Sequence, residues 1–362
     1  MTGSTFRRCE AALGPAVTRV GATGAAIGLA ALVVGVALGF GTVTLGALAV
    51  SWLFFAGAAA GAVAFSAAVR CSRARWVDLV SPVAEAGVAF FPSALVLLAV
   101  LLVLAGSWMP DAAGAGWGTW TSRVARDLLP SALLFAAGRR YLRLSRAGDG
   151  PRVMPAAVVY LVLYVAVLSL WAIDLVMSLH GWAPSTVIPP YYFMGAFLAA
   201  IACVALAQSV GREAAAAASS RADLGKLLFA MVIMWGYLLW SAYLPVWYGN
   251  MPDETGQLLA RWAGGWKVVT LGVLATVLAF PFFFLLPERT KRGRSGLATA
   301  ALSVLAGLFA EHFLLVLPSL PLRFDPPSLL LGVCVTFGVL GLVVLTVGAA
   351  FAPREGSPSG GR

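Results

Sequence analysis

Nine separate stretches of this chain stay apolar long enough to cross a lipid bilayer. They lie near residues 20–40, 43–69, 85–107, 153–179, 190–210, 225–248, 267–287, 296–317 and 328–351. A ~30 Å hydrocarbon layer takes about 20 helical residues, so the pattern predicts an all-α polytopic membrane protein. Composition agrees, because 60% hydrophobic against 11% charged residues lies far outside the range of soluble domains. No loop is long enough to be a folded soluble domain. The organisation expected is a cytoplasmic N-terminal segment over 1–19, a membrane domain over 20–351 and a flexible cytoplasmic tail over 352–362.

A tenth crossing around 118–138 is open to doubt, because Arg123, Arg126 and Asp127 interrupt it. Charge distribution decides for it. With ten crossings, one face holds only Arg123, Arg126, Arg261, Lys267 and Arg323, and the other 20 of the 25 basic residues share the side of the termini. Without it the bias spreads to 9 against 16. Loops rich in Lys and Arg stay in the cytoplasm, so the expectation is about ten transmembrane helices in a bacterial inner membrane with both termini cytoplasmic. The net charge of +10 is therefore orientation signal, and a nucleic-acid partner is not expected. Arg7, Arg8 and Arg19 precede an apolar run longer than a signal peptide needs, so a retained first helix is expected.

The four cysteines, Cys9, Cys71, Cys203 and Cys334, stand singly, with no haem-attachment or iron–sulfur spacing. The only histidines are His180 and His312. On the ten-crossing topology both come near one membrane face, with His180 at a helix end, which makes a shared haem a poor fit. No cofactor or metal bound by this chain is expected.

Asp174, in "SLWAIDLVMSLHGW", and Glu311, in "LFAEHFLLVLP", lie inside apolar runs. A carboxylate at bilayer depth is costly and marks a functional candidate that faces protein or water. Both fall about 10 Å below the outer face by helical rise. Ser178 shares a helix face with Asp174 at i+4. Tyr237, Trp240, Tyr243, Trp247 and Tyr248 form an aromatic column on one helix, of which Tyr243 comes to nearly the depth of Asp174. An aromatic belt accounts for Trp247 and Tyr248. Asp174 and Glu311 can serve as proton-transfer or ligand groups, or as buried carboxylates that hold helices together through hydroxyl partners. Glu85, Asp223 and Lys226 sit at span edges, where snorkelling explains them.

Three blocks carry a resemblance. They are "DLVMSLHGWAPSTVIPPYYFMGAF", "DLGKLLFAMVIMWGYLLWSAYLPVWYGNMPDETGQLLAR", and "PFFFLLPERTKR" with the Glu311 to Pro318 segment. Over about residues 70–340 the chain resembles the NrfD-like membrane subunits of the polysulfide reductase type, and within them the ActF subunits of alternative complex III, a quinol:electron-acceptor oxidoreductase. The resemblance implies two four-helix bundles plus flanking helices. It also implies a sister NrfD-like subunit, an iron–sulfur subunit and c-type cytochrome subunits as partners, with the haem c and iron–sulfur clusters carried by those partners. On this basis Asp174, Glu311, Ser178 and Tyr243 become proton-relay candidates in a coupling and scaffolding subunit. If the chain binds quinol itself, Trp240, Tyr243 and His180 would line the ring site. An independent secondary transporter and a purely structural anchor are the remaining alternatives.

Overall fold

The computed structural model describes residues 13–74, 77–109, 120–148, 150–179, 185–210, 218–250, 252–320, 322 and 325–350. Among them the regular structure is helical: α1 (Pro15–Ala37), α2 (Gly41–Cys71), α3 (Val77–Val103), α4 (Trp120–Ala147), α5 (Gly150–Leu175), α6 (Ile188–Val210), α7 (Ala218–Gly249), α8 (Pro252–Trp262), α9 (Trp266–Phe284), α10 (Glu288–Arg292), α11 (Arg294–Val316) and α12 (Pro326–Ala350). Nine of these described helices, all but α4, α8 and α10, are long and apolar enough to cross a membrane. The chain is a multi-pass membrane protein.

The core is built around α2, which is buried along almost its whole length. Small residues make this possible. A Cβ added at Gly61 would come within 2.5 Å of the Ala196 carbonyl oxygen on α6, and one at Gly87 of α3 within 2.7 Å of the Ala59 carbonyl oxygen on α2. Helices in lipid gain by such backbone approach because no hydrophobic effect drives them together. At the periphery α1 and α12 cross at Gly28 and Gly338, where an added Cβ on either would lie 2.3–2.4 Å from the other's Cα.

Helix direction follows from the contacts. Tyr141 bonds Ser66 at 3.1 Å, Arg70 donates to Ser145 at 2.6 Å and Arg146 to Glu85 at 2.6 Å, which gathers one end of α2, α3 and α4. At the far end Arg126 of α4 meets Asp174 of α5. Between them Trp171 bonds Ser131 and the Tyr160 ring packs at Gly138. Helix α4 therefore runs antiparallel to α5 from one end of the molecule to the other, about 30 Å from Arg126 to Arg146 at 1.5 Å per residue. It lies outside the nine long apolar helices because of its charges, yet it runs between the same two ends as α5. Helices α1 and α12 are also antiparallel, with Gly21 at Gly341 and Leu345, so residues 15 and 350 lie at the Arg70 end.

That end collects basic side chains. Lys291 sits 5.4 Å from the centre of the Phe229 ring, Arg221 donates to the Arg292 carbonyl, and Arg292 pairs with Glu288. The Arg292 hydrogen bond holds the Glu288 carboxyl below its ordinary range, but both groups are exposed and contribute little stability.

Candidate functional site

Charge inside a helix bundle needs a partner, and Asp174 has one that sequence reasoning did not assign to it. Arg126 forks onto the carboxylate, Nε to Oδ2 at 2.6 Å and Nη2 to Oδ1 at 2.8 Å. Bidentate geometry of this kind is the strongest form of a charge-assisted hydrogen bond. Asp174 is buried, whereas the Arg126 side chain keeps 19% exposure. Next to Arg126 on the same helix, Asp127 is fully buried, and neither of its carboxyl oxygens meets a donor among the described residues. What it does face is the Asp174 carboxyl, within side-chain hydrogen-bonding reach, with Arg126 and Arg123 close enough to act on it through space.

The walls of this site are aromatic and its local backbone is unusual. Pro130 lies inside α4 and removes a helix hydrogen bond at the turn that carries Arg126 and Asp127. Ser131 donates to the Asp127 carbonyl at 2.5 Å and accepts the Trp171 indole N–H at 2.8 Å. Trp171 packs edge-on against Trp52 of α2 at 4.6 Å and against Phe135 at 6.2 Å. The Trp52 indole is fixed in turn by the Ala94 carbonyl of α3 at 2.7 Å. Four helices thus lock the carboxyl pair in place.

Glu311 is buried on α11 in a second, separate site. The Tyr191 hydroxyl of α6 and the Trp235 indole of α7 both donate to its Oε1, the latter at 3.2 Å. The two donors lie close together, their ring centres 5.8 Å apart. Beside it, His312 turns away: its Nδ1 contacts the Leu308 carbonyl at 2.7 Å, and its ring packs on Phe54 and Tyr192.

Both carboxylates sit toward the Asp174 end, but no described hydrogen bond joins the two sites. The other sequence candidates are placed as follows. Ser178 donates to the backbone carbonyl of Asp174, one turn back, and not to its carboxylate, so the expected side-chain partnership is replaced by ordinary i to i−4 capping of a helix end. Trp240 and Tyr243 stack on each other at 5.8 Å on α7, with Trp240 half exposed, and neither touches Asp174 or Glu311. The hydroxyl and indole that reach Glu311 are those of Tyr191 and Trp235 instead of Tyr243. His180 lies outside the described residues. At the other end, Glu85 pairs with Arg146 and Asp223 with Lys226.

No protein-family model matches the chain, and no curated protein is significantly similar to it.

Proposed function

We propose that the chain is a proton-handling membrane subunit of a quinol-oxidising respiratory complex of the alternative complex III type, with electrons carried by partner subunits. One observation carries the proton-handling half: a carboxylate, Asp174, buried beside a second carboxyl, Asp127, and forked by a single guanidinium, Arg126. Carboxyls within a membrane are expensive and are kept where protons or ions move. The complex-forming half rests on the resemblance of the sequence blocks. Under it α2 to α5 form one four-helix bundle, α6, α7, α9 and α11 the other, and α1 with α12 flanks them.

The exposed aromatic face of α7 supports a partner subunit. Tyr237 and Trp240 are 63% and 52% exposed at a depth where a lone phenol or indole N–H finds no water. The sister NrfD-like subunit is the proposed occupant, with the iron–sulfur and c-type haem subunits on the Asp174 side, which is periplasmic in this reading. The bundle lies in the bacterial inner membrane with its termini in the cytoplasm.

The test is purification of the tagged chain in mild detergent, followed by a redox difference spectrum and a subunit census. The expected result is haem c absorption, an iron–sulfur subunit and a second ten-helix chain, with the last lost when Trp240→Ala is introduced. In such a complex Asp174→Asn lowers quinol oxidation or its coupled proton release while assembly persists. A colourless, solitary protein would overturn the respiratory reading, and normal proton release in the variant would remove Asp174 from the path.

A further inference from the structure

We infer that Asp127 and Asp174 are one proton-binding site, with a single proton held between the two carboxyls and Arg126 as its counter-ion. The inference rests on the proton-handling reading of this end of the bundle and assigns the proton to a pair, bringing in Asp127, which that reading of Asp174 does not need. Four observations lead to it. Arg126 directs Nε and Nη2 onto the two oxygens of Asp174, one bond each. Asp127, fully buried, has two carboxyl oxygens that meet no donor among the described residues. The Asp174 carboxyl lies within its side-chain hydrogen-bonding reach. The indole N–H groups of the nearby aromatics are taken elsewhere, that of Trp171 by Ser131 and that of Trp52 by the Ala94 carbonyl.

Two ionised carboxylates cannot satisfy each other, because each is an acceptor only. One proton changes the chemistry: a protonated Asp127 is a donor, and the Asp174 oxygens, each taking one bond from Arg126, have lone pairs left to accept it. Of the two guanidinia near the pair only Arg126 is bonded to it, and with that one partner a carboxylic acid, a carboxylate and a guanidinium sum to zero. The charged groups facing the pair are Arg126 and Arg123, both from α4, and Arg123 lies with its Nη1 3.5 Å from the Met109 sulfur. Among the described residues, no acidic or basic side chain of α2 or α3 acts on it.

The experiment is infrared spectroscopy of the purified full chain in lipid nanodiscs at neutral pH, following the carbonyl stretch of protonated carboxyl groups. In the wild type, ¹³C-aspartate labelling is expected to shift one such band, which separates it from any band of Glu311. Asp127→Asn is expected to abolish it, since the amide supplies the N–H donor that the proton otherwise provides. Absence of an aspartic acid band from the labelled wild type would overturn the inference whether or not the variant folds; so would a band that survives Asp127→Asn. Because the chain is measured alone, a positive result stands even if no respiratory subunit co-purifies, and a negative one leaves the subunit census unaffected.

Discussion

Arg126 makes its two bonds to a carboxylate that has almost no access to solvent, so its removal is costly. Breaking a buried ion pair by deleting one partner costs about 3–5 kcal/mol, and the partial exposure of Arg126 places Arg126→Gln at the low end, about 3 kcal/mol. In thermal unfolding with detergent, the double variant Arg126→Gln with Asp174→Asn is expected to recover part of that loss, a coupling of about 2 kcal/mol. Additive losses would show that the fork holds nothing together. Asp174 and Glu311 were legible in the sequence because a carboxylate in an apolar run stands out. Arg126 and Asp127 were visible too, but their charge was counted against a crossing and on a loop. The clue that would have joined them was physical: an isolated carboxylate at that depth requires a cation, and Arg123 and Arg126 were the basic residues expected on the same side nearest to it.

At the scale of the helix, the aromatic column of α7 marked the wrong side. Buried Leu224, Leu228, Met231, Val232 and Trp235 recur at helical spacing and define the inward face. Trp235 and Tyr237 are two residues apart, about 200° around the helix, so the residue that reaches Glu311 is the one outside the column. Apolar periodicity could have identified that face. The Tyr191 partner could not be found this way, because pairing across α6 and α11 depends on how the helices sit together and leaves no mark in either segment. Close packing is as exacting as the polar contacts. Gly28→Leu or Gly338→Leu places a side chain where the other helix's Cα lies 2.3–2.4 Å from the first added carbon. Either variant is expected to lower thermal stability and broaden the size-exclusion peak, while Gly106→Leu, where an added Cβ meets nothing within 4 Å, is not.

For the molecule as a whole, the decisive element is α4, since one more or one fewer crossing reverses every later loop. Nine apolar helices were readable from hydropathy alone, and a tenth crossing was expected only from the charge bias of the loops; α4 lies where that crossing would run. Its charges at one end are bound by a neighbouring helix, which hydropathy does not measure. In a background without native cysteines, Ser107→Cys and Ala147→Cys flank α4. An impermeant maleimide applied to intact cells is expected to label the first and to reach the second only after permeabilisation. Labelling of both from one side would place α4 on the surface.

The seating of α12 on α1 also sets an order of events during synthesis. Gly21, Gly24 and Gly28 emerge from the ribosome with the first helix, yet the backbone they fit against, around Cys334 to Gly341, is translated about 300 residues later. At 5–20 residues per second, that glycine face waits roughly 15–60 s in the bilayer before its mate arrives. Any insertase or chaperone that attends this protein has that interval in which to shield it, and a nascent chain halted before α12 is the form most open to capture by a membrane protease.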